Sequence, residues 1–191
     1  MKRKIIACVL LLVAVISAAY AAEGKKALMV IASQDFRDEE LLTPKEILES
    51  KGVKVTIASS SLDTATGMLG AKVKPDILIA DVNVNDFDAV IFVGGAGARE
   101  YFNNPVALKI ARDAYKRGKL VGAICIAPRV LSEAGILKGK KATVYSSEAK
   151  ALKAKGAIYT GRDVEVDGKV VTASGPQAAE RFGKTVVNLL K

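Results

Sequence analysis

A single thiol sits where a backbone corner would present it for chemistry. Residues 120–124 form an unbroken apolar run that reads as a buried strand, and Cys125 ends it. An apolar-periodic segment follows at once, with Pro128 near its start, where a helix tolerates proline. A thiol at a strand-to-helix corner has the form of a nucleophile elbow. The free amides and positive dipole end of a helix start favour thiolate over thiol, so the pattern predicts an activated sulfur. The alternative is a small buried side chain, because free cysteine is among the residues most often found inside proteins.

Two other segments offer complementary groups. Ser33-Gln-Asp-Phe-Arg-Asp-Glu-Glu40 follows the first apolar run, and Gly94-Gly-Ala-Gly97 follows another at residues 89–93. In an open parallel sheet, ligands bind beyond the carboxyl ends of the strands, so parallel strands would bring these two loops and Cys125 to one edge. A partly buried carboxylic acid there can hold a proton near neutral pH and donate it. Amides near Gly95 and Ile126 would form an oxyanion hole, since glycine lets backbone approach a reacting atom closely. Each segment also has a structural reading. Glycines end strands in turns, acids at 38–40 complement a helix dipole, and the glycine spacing is not that of a dinucleotide site.

The elements that must position these groups follow from periodicity. Strands are expected at residues 26–32, 53–58, 77–80, 89–93 and 120–124, with short pieces within 59–75 and at 142–145. Helices are expected at 37–51, closed by Gly52, and after the cap pair Asn104-Pro105, closed by Gly118. Further helices are expected at 127–134, 147–155 and 177–190. Residues 164–166 and 170–173 flank Asp167-Gly168, a type I′ hairpin signal. Alternating strands and helices predict an α/β fold: a flavodoxin-like three-layer sandwich with a largely parallel, doubly wound sheet and a β-hairpin in the C-terminal half. No repeat, linker or second domain is visible.

Composition narrows the chemistry. The 191 residues suit one domain, and half are apolar. There is no histidine, which excludes Cys-His and Ser-His catalysis from within this chain and leaves no zinc ligand set. No metal or cofactor is implied. The chain opens Met-Lys-Arg-Lys, continues with an apolar run from residue 5 to 19, and reaches Ala19-Tyr-Ala21. This pattern predicts a secretory signal peptide over residues 1–21, a domain at 22–191 and a periplasmic or extracellular location, with no stable membrane span after cleavage. Loss of Lys2, Arg3 and Lys4 would lower the net charge from +9 to +6 and leave Cys125 as the sole cysteine. The basic residues are interspersed with acids on helix-like stretches, without interleaved aromatics, so no nucleic-acid site is expected.

Taken together, Asp35-Phe-Arg-Asp-Glu-Glu-Leu-Leu-Thr-Pro44, Asp86-Phe-Asp-Ala-Val-Ile-Phe-Val-Gly-Gly95, Ala123-Ile-Cys-Ile-Ala-Pro128 and Ala134-Gly-Ile-Leu-Lys-Gly139 resemble the ThiJ/PfpI family. The resemblance implies a homodimer or higher homo-oligomer. It makes Cys125 the reactive cysteine and Glu40, four residues before Pro44, the acid that hydrogen-bonds the sulfur. Gly95 and Ile126 would supply oxyanion amides. Tyr145, Gly94 and Arg129 would belong to the pocket, Arg129 with a surface or dimer role as the alternative. PfpI-type peptidases carry histidine directly after the cysteine, and here that residue is Ile126. Glu100 is one place off the position of their third catalytic group, so a peptidase is not expected. The resemblance implies instead a glyoxalase- or deglycase-like enzyme acting on small reactive carbonyls or carbonyl-modified proteins. The alternative is a non-enzymatic redox or stress-response protein whose cysteine oxidises to a sulfinate.

Overall fold

The computed structural model describes residue 22 and residues 24–191. The expected leader at residues 1–21 lies outside them. Among the described residues, no helix is long and apolar enough to cross a membrane.

Seven strands build the central sheet: β1 (Lys26–Val30), β3 (Lys54–Ser59), β6 (Ile77–Leu78), β7 (Ala89–Phe92), β8 (Leu120–Ile124), β11 (Val164–Asp167) and β12 (Val170–Ala173). Their spatial order is β11-β12-β8-β7-β1-β3-β6, and only the β11/β12 pair is antiparallel. The five central parallel strands therefore lie in the order second, first, third, fourth, fifth along the chain. That is the flavodoxin-like winding, whose order reverses between β1 and β7. A small sheet of β2 (Gln34–Phe36), β4 (Ala65–Gly67) and β5 (Lys72–Val73) and the pair β9 (Lys141–Ala142) and β10 (Ile158–Tyr159) flank it.

Both faces of the sheet are covered. Leu28, Val30, Val90, Phe92, Val121 and Ala123 pack under α2 (Pro105–Lys116), α3 (Pro128–Glu133) and α4 (Ala149–Ala154). Met29, Ile31, Ile91, Ile124 and Val171 point the other way, toward α1 (Asp38–Glu49) and α5 (Ala179–Leu189). Strands buried on both faces read as continuous apolar runs, which is why they were visible in the sequence. Asn104 caps α2 as expected, its side chain accepting from the Val106 and Ala107 amides.

The hairpin differs in detail. Asp167 pairs with Val170, so the loop is Gly168-Lys169, and only Gly168 has positive φ. A type I′ turn needs positive φ at both loop residues, so the Asp167-Gly168 assignment is corrected to a glycine-first turn one residue later. Asp167 is instead drawn into strand pairing, where its carboxylate accepts from the Lys141 amide at 3.0 Å and meets Lys140 at 3.2 Å.

Candidate active site

The three expected loops meet at the carboxyl ends of β1, β7 and β8, astride the reversal of strand order. Cys125 has φ 61°, a left-handed conformation that costs a non-glycine residue energy and persists only where its surroundings enforce it. Both of its peptide groups are tied down. Its amide donates to the Ala173 carbonyl at 2.9 Å, and its carbonyl accepts from the Tyr145 amide at 2.8 Å. The side chain is 8% exposed and opens into a cavity of about 420 Å³.

Glu40 lies in the first turn of α1 and is wholly buried. Pro44 is one turn on, so the amide that would bind the Glu40 carbonyl in an unbroken helix is absent. The carboxylate Oε2 accepts from the Gly94 amide at 3.1 Å, while buried Oε1 has no hydrogen-bond partner among the described residues. An orphaned carboxyl oxygen is costly as an anion and cheaper once protonated. Burial accordingly pushes the Glu40 carboxyl up to about 7, against the opposing pull of the Cys125 thiol and the Gly94 amide.

The sulfur is not the thiolate that the elbow alone predicts. Burial first, and the facing Glu40 carboxylate second, push the Cys125 thiol up to about 12. The Gly95 and Ile126 amides are directed at the sulfur and oppose this without overcoming it. α3 has only six residues and begins at Pro128, so the backbone dipoles that reach sulfur come from the turns beside it. Cys125 and Glu40 thus behave as a coupled pair in which Glu40 gives up its proton first, as pH rises through about 7, and sulfur is the stronger holder.

Glycine is required at the β7 end. A Cβ on Gly95, at φ 98°, would lie 2.3 Å from the Asp35 carbonyl oxygen and 2.4 Å from the Arg37 amide. The Arg37 amide in turn donates to the Gly94 carbonyl at 3.0 Å, which locks the first turn of α1 onto the glycine loop.

Tyr145 is half-exposed on the cavity wall. Arg129 is not part of that wall. It binds Glu133 at 2.6 Å and Glu148 at 3.1 Å and stacks over Phe102, so its charge is spent on the α3 side of the molecule. The pocket assignment for Arg129 is corrected: as the second residue of α3, four positions after Cys125, its side chain is turned away from the cavity toward Glu133, Glu148 and Phe102. Glu100 also leaves the site, its carboxylate accepting from the Ser60 hydroxyl at 3.1 Å.

Sequence reasoning missed Arg37, Met68, Arg99 and Gln177, which line the cavity. Arg37 lies within one segment already singled out, and Arg99 follows another by two residues. Met68 carried no sequence signal. It arrives because buried Asp38 accepts from the Leu69 and Ala71 amides, each at 2.8 Å, and so pins the loop bearing Met68 against the Ala96 amide. Among the described residues no cluster could hold a metal ion.

Comparison with known proteins agrees with this fold. The model of the DJ-1/PfpI family matches residues 25–189. A protein of Methanocaldococcus jannaschii is 47% identical over 172 residues, 88% of this chain and 84% of that protein. Deglycase PfpI of Pyrococcus furiosus is 34% identical over 164 residues, 86% and 99% of the two chains. Glutathione-independent glyoxalase DJR-1.2 of Caenorhabditis elegans is 30% identical over 170 residues, 89% and 91%. The crystal structure of a ThiJ/PfpI domain protein from Brachyspira murdochii superposes with a TM-score of 0.85 at 32% identity, covering 87% of this chain and 98% of that one.

These relatives correct one expectation. Two of the relatives are named as a deglycase and a glyoxalase, and nothing about them supports export. The reading of residues 1–21 as a signal peptide rested on a basic start, an apolar run and the Ala19-Tyr-Ala21 pattern, which are features of local sequence alone. The signal peptide and the periplasmic or extracellular location are withdrawn.

Proposed function

This chain belongs to the DJ-1/PfpI family, and on that premise we propose that it is a cysteine-dependent enzyme of reactive carbonyls, glyoxalase- or deglycase-like, with Cys125 as nucleophile and Glu40 as its proton partner. The observation that carries the reading is the buried pair itself: a carboxyl titrating near 7 facing a thiol at the mouth of a cavity. A general base works best when its pKa lies near the operating pH.

The chemistry balances without a cofactor. As sulfur attacks the aldehyde carbon of an α-oxoaldehyde, the S–C bond forms and the carbonyl electron pair moves to oxygen. The S–H proton passes to the Glu40 carboxylate and then to that oxygen, giving a hemithioacetal. The Gly95 and Ile126 amides lie beside the reacting centre and favour negative charge there. Glu40 next takes the proton from the former aldehyde carbon and returns it to the neighbouring ketone carbon, while the hydroxyl proton on the first carbon's oxygen passes to the ketone oxygen through the enediol between them. The first carbon is thereby oxidised and the second reduced, leaving a thioester of a 2-hydroxy acid. Water cleaves it and restores the thiol. Attack on early carbonyl adducts of amino groups would use the same first step.

Two other readings are weaker. Oxidation of Cys125 to a sulfinate in a non-enzymatic stress protein would profit from the same amides, but susceptibility to peroxide follows thiolate character, which burial and Glu40 suppress. Peptidase action lacks a histidine after Cys125, and Glu100 is engaged by Ser60. The assembly proposed is a homodimer or higher homo-oligomer, with exposed Leu69 and Ile158 as apolar surface to cover.

Methylglyoxal tests the proposal with wild type, Cys125→Ser and Glu40→Gln. Lactate formation that disappears in Cys125→Ser and falls about 10²–10⁴-fold in Glu40→Gln is expected. Equal background in all three overturns it. A two-oxygen mass adduct after mild peroxide, lost in Cys125→Ser, would favour the redox reading in its place.

A further inference from the structure

The cavity that Cys125 opens into has an unbalanced charge. Arg37 and Arg99 both line it, but they are not equivalent. Arg37 is held in a two-pronged bond by Glu39, at 2.8 and 3.0 Å. Arg99 has no carboxylate partner among the described residues, and its guanidinium reaches only the Ala96 carbonyl at 3.4 Å. The neighbouring acid, Glu100, is turned away to Ser60. Among the described residues the only carboxyl on the cavity wall is Glu40, whose buried oxygens face Gly94 and the thiol. Arg99 is carried on the short 3-10 helix that starts directly after Gly95, so its backbone is anchored to the site. Met68, Tyr145 and Pro176 supply apolar wall beside it. A cavity of about 420 Å³ is also roomier than a three-carbon dicarbonyl requires.

We propose that this pocket selects α-oxoaldehydes bearing a carboxylate a few carbons beyond the reacting pair, with Arg99 as the group that binds that carboxylate. The proposal rests on the carbonyl chemistry assigned to Cys125. The aldehyde end meets the sulfur, the carbon chain lies along Met68 and Pro176, and the anionic end pairs with the unpaired guanidinium. A planar guanidinium suits a carboxylate because it can donate two parallel hydrogen bonds. The product is then a 2-hydroxy dicarboxylic acid, formed by the same internal oxidation and reduction with uptake of one water.

Kinetics with 4,5-dioxopentanoate and methylglyoxal provide the first test. Wild type is expected to favour the carboxylate substrate by about fivefold or more in kcat/KM, a preference that weakens with added salt. In Arg99→Gln the ratio should approach one, and because it is taken within one variant, a general loss of activity does not imitate it. Calorimetric binding of 2-hydroxyglutarate against 2-hydroxypentanoate, which differ in the distant carboxylate, provides a second test that needs no turnover. A preference for 2-hydroxyglutarate that Arg99→Gln abolishes supports the charge-selective pocket even if no carbonyl is converted, in which case the Cys125 chemistry alone fails. Equal kcat/KM for both aldehydes together with equal binding of both acids overturns the proposal, while Cys125-dependent turnover of methylglyoxal would leave the carbonyl reading standing.

Discussion

Glu40 Oε2 and the Cys125 Cβ converge on one point beside Gly94: a methyl group built there would lie 2.5 Å from the first and 2.6 Å from the second. The Ile124 carbonyl oxygen would be 2.8 Å away, so even if the Glu40 carboxyl withdrew, the Cys125 and Ile124 side could yield only by moving backbone. Gly94→Ala is therefore expected to destabilise the fold by about 1–3 kcal/mol, the usual cost of overpacking, and to separate the pair. Urea midpoints and lactate formation, measured on the same preparation, check both effects. An unchanged midpoint would mean that the pair is less tightly held than the geometry requires.

Removing the Glu40 charge should move two properties in opposite directions. The carboxylate is one of the forces that push the Cys125 thiol up, so Glu40→Gln should lower the thiol pKa and speed alkylation by iodoacetamide at pH 8. The same substitution removes the proton acceptor and should slow turnover. Mass spectrometry of the alkylated protein beside steady-state rates would detect the divergence, and a parallel fall in both would argue for simple loss of the pocket.

The pair also sets a pH dependence of stability. A carboxyl whose folded pKa is raised binds its proton more tightly in the folded state. The stabilisation from Glu40 is complete below its ordinary 4.5 and is lost as pH rises through about 7. The Cys125 thiol acts in the same sense at higher pH, its contribution fading as pH climbs from 9 to about 12. Denaturation midpoints should therefore fall between pH 4.5 and 7 in wild type, on the order of 3 kcal/mol in all, with the Glu40 part of the slope absent in Glu40→Gln.

Asp38 governs a different part of the site. Burial draws its pKa up, but the Leu69 and Ala71 amides outweigh burial and hold the carboxyl below its ordinary value. Asp38→Ala should cost about 1–3 kcal/mol and free those two amides to exchange with solvent. Hydrogen exchange at residues 69 and 71 measures this directly. A raised KM with nearly unchanged kcat would mark Met68 as wall rather than machinery.

Much of this molecule was legible from short-range pattern. Doubly buried strands announce themselves as apolar runs, Asn104-Pro105 and Gly118 mark the ends of α2, and a strand that stops at Cys125 places the thiol at a corner. These are interactions among residues a few positions apart, so they survive in a linear reading. The turn at Gly168-Lys169 was misread by one residue because Asp167 was claimed by Lys140 and Lys141, partners that the local pattern does not contain. Arg129 failed for a similar reason: Glu133 was near in sequence, but Glu148 and Phe102 came from other elements.

The amino-acid sequence by itself determined the parallel α/β scaffold and the meeting of three loops at its edge, because periodicity, capping and strand direction leave few other foldings. Only the tertiary structure decided the protonation of the sulfur, the absence of Arg129 from the cavity and the presence there of Arg37, Met68 and Arg99. Ionisation depends on solvent exclusion and on charges brought from distant segments, and neither quantity exists until the chain has closed around the site.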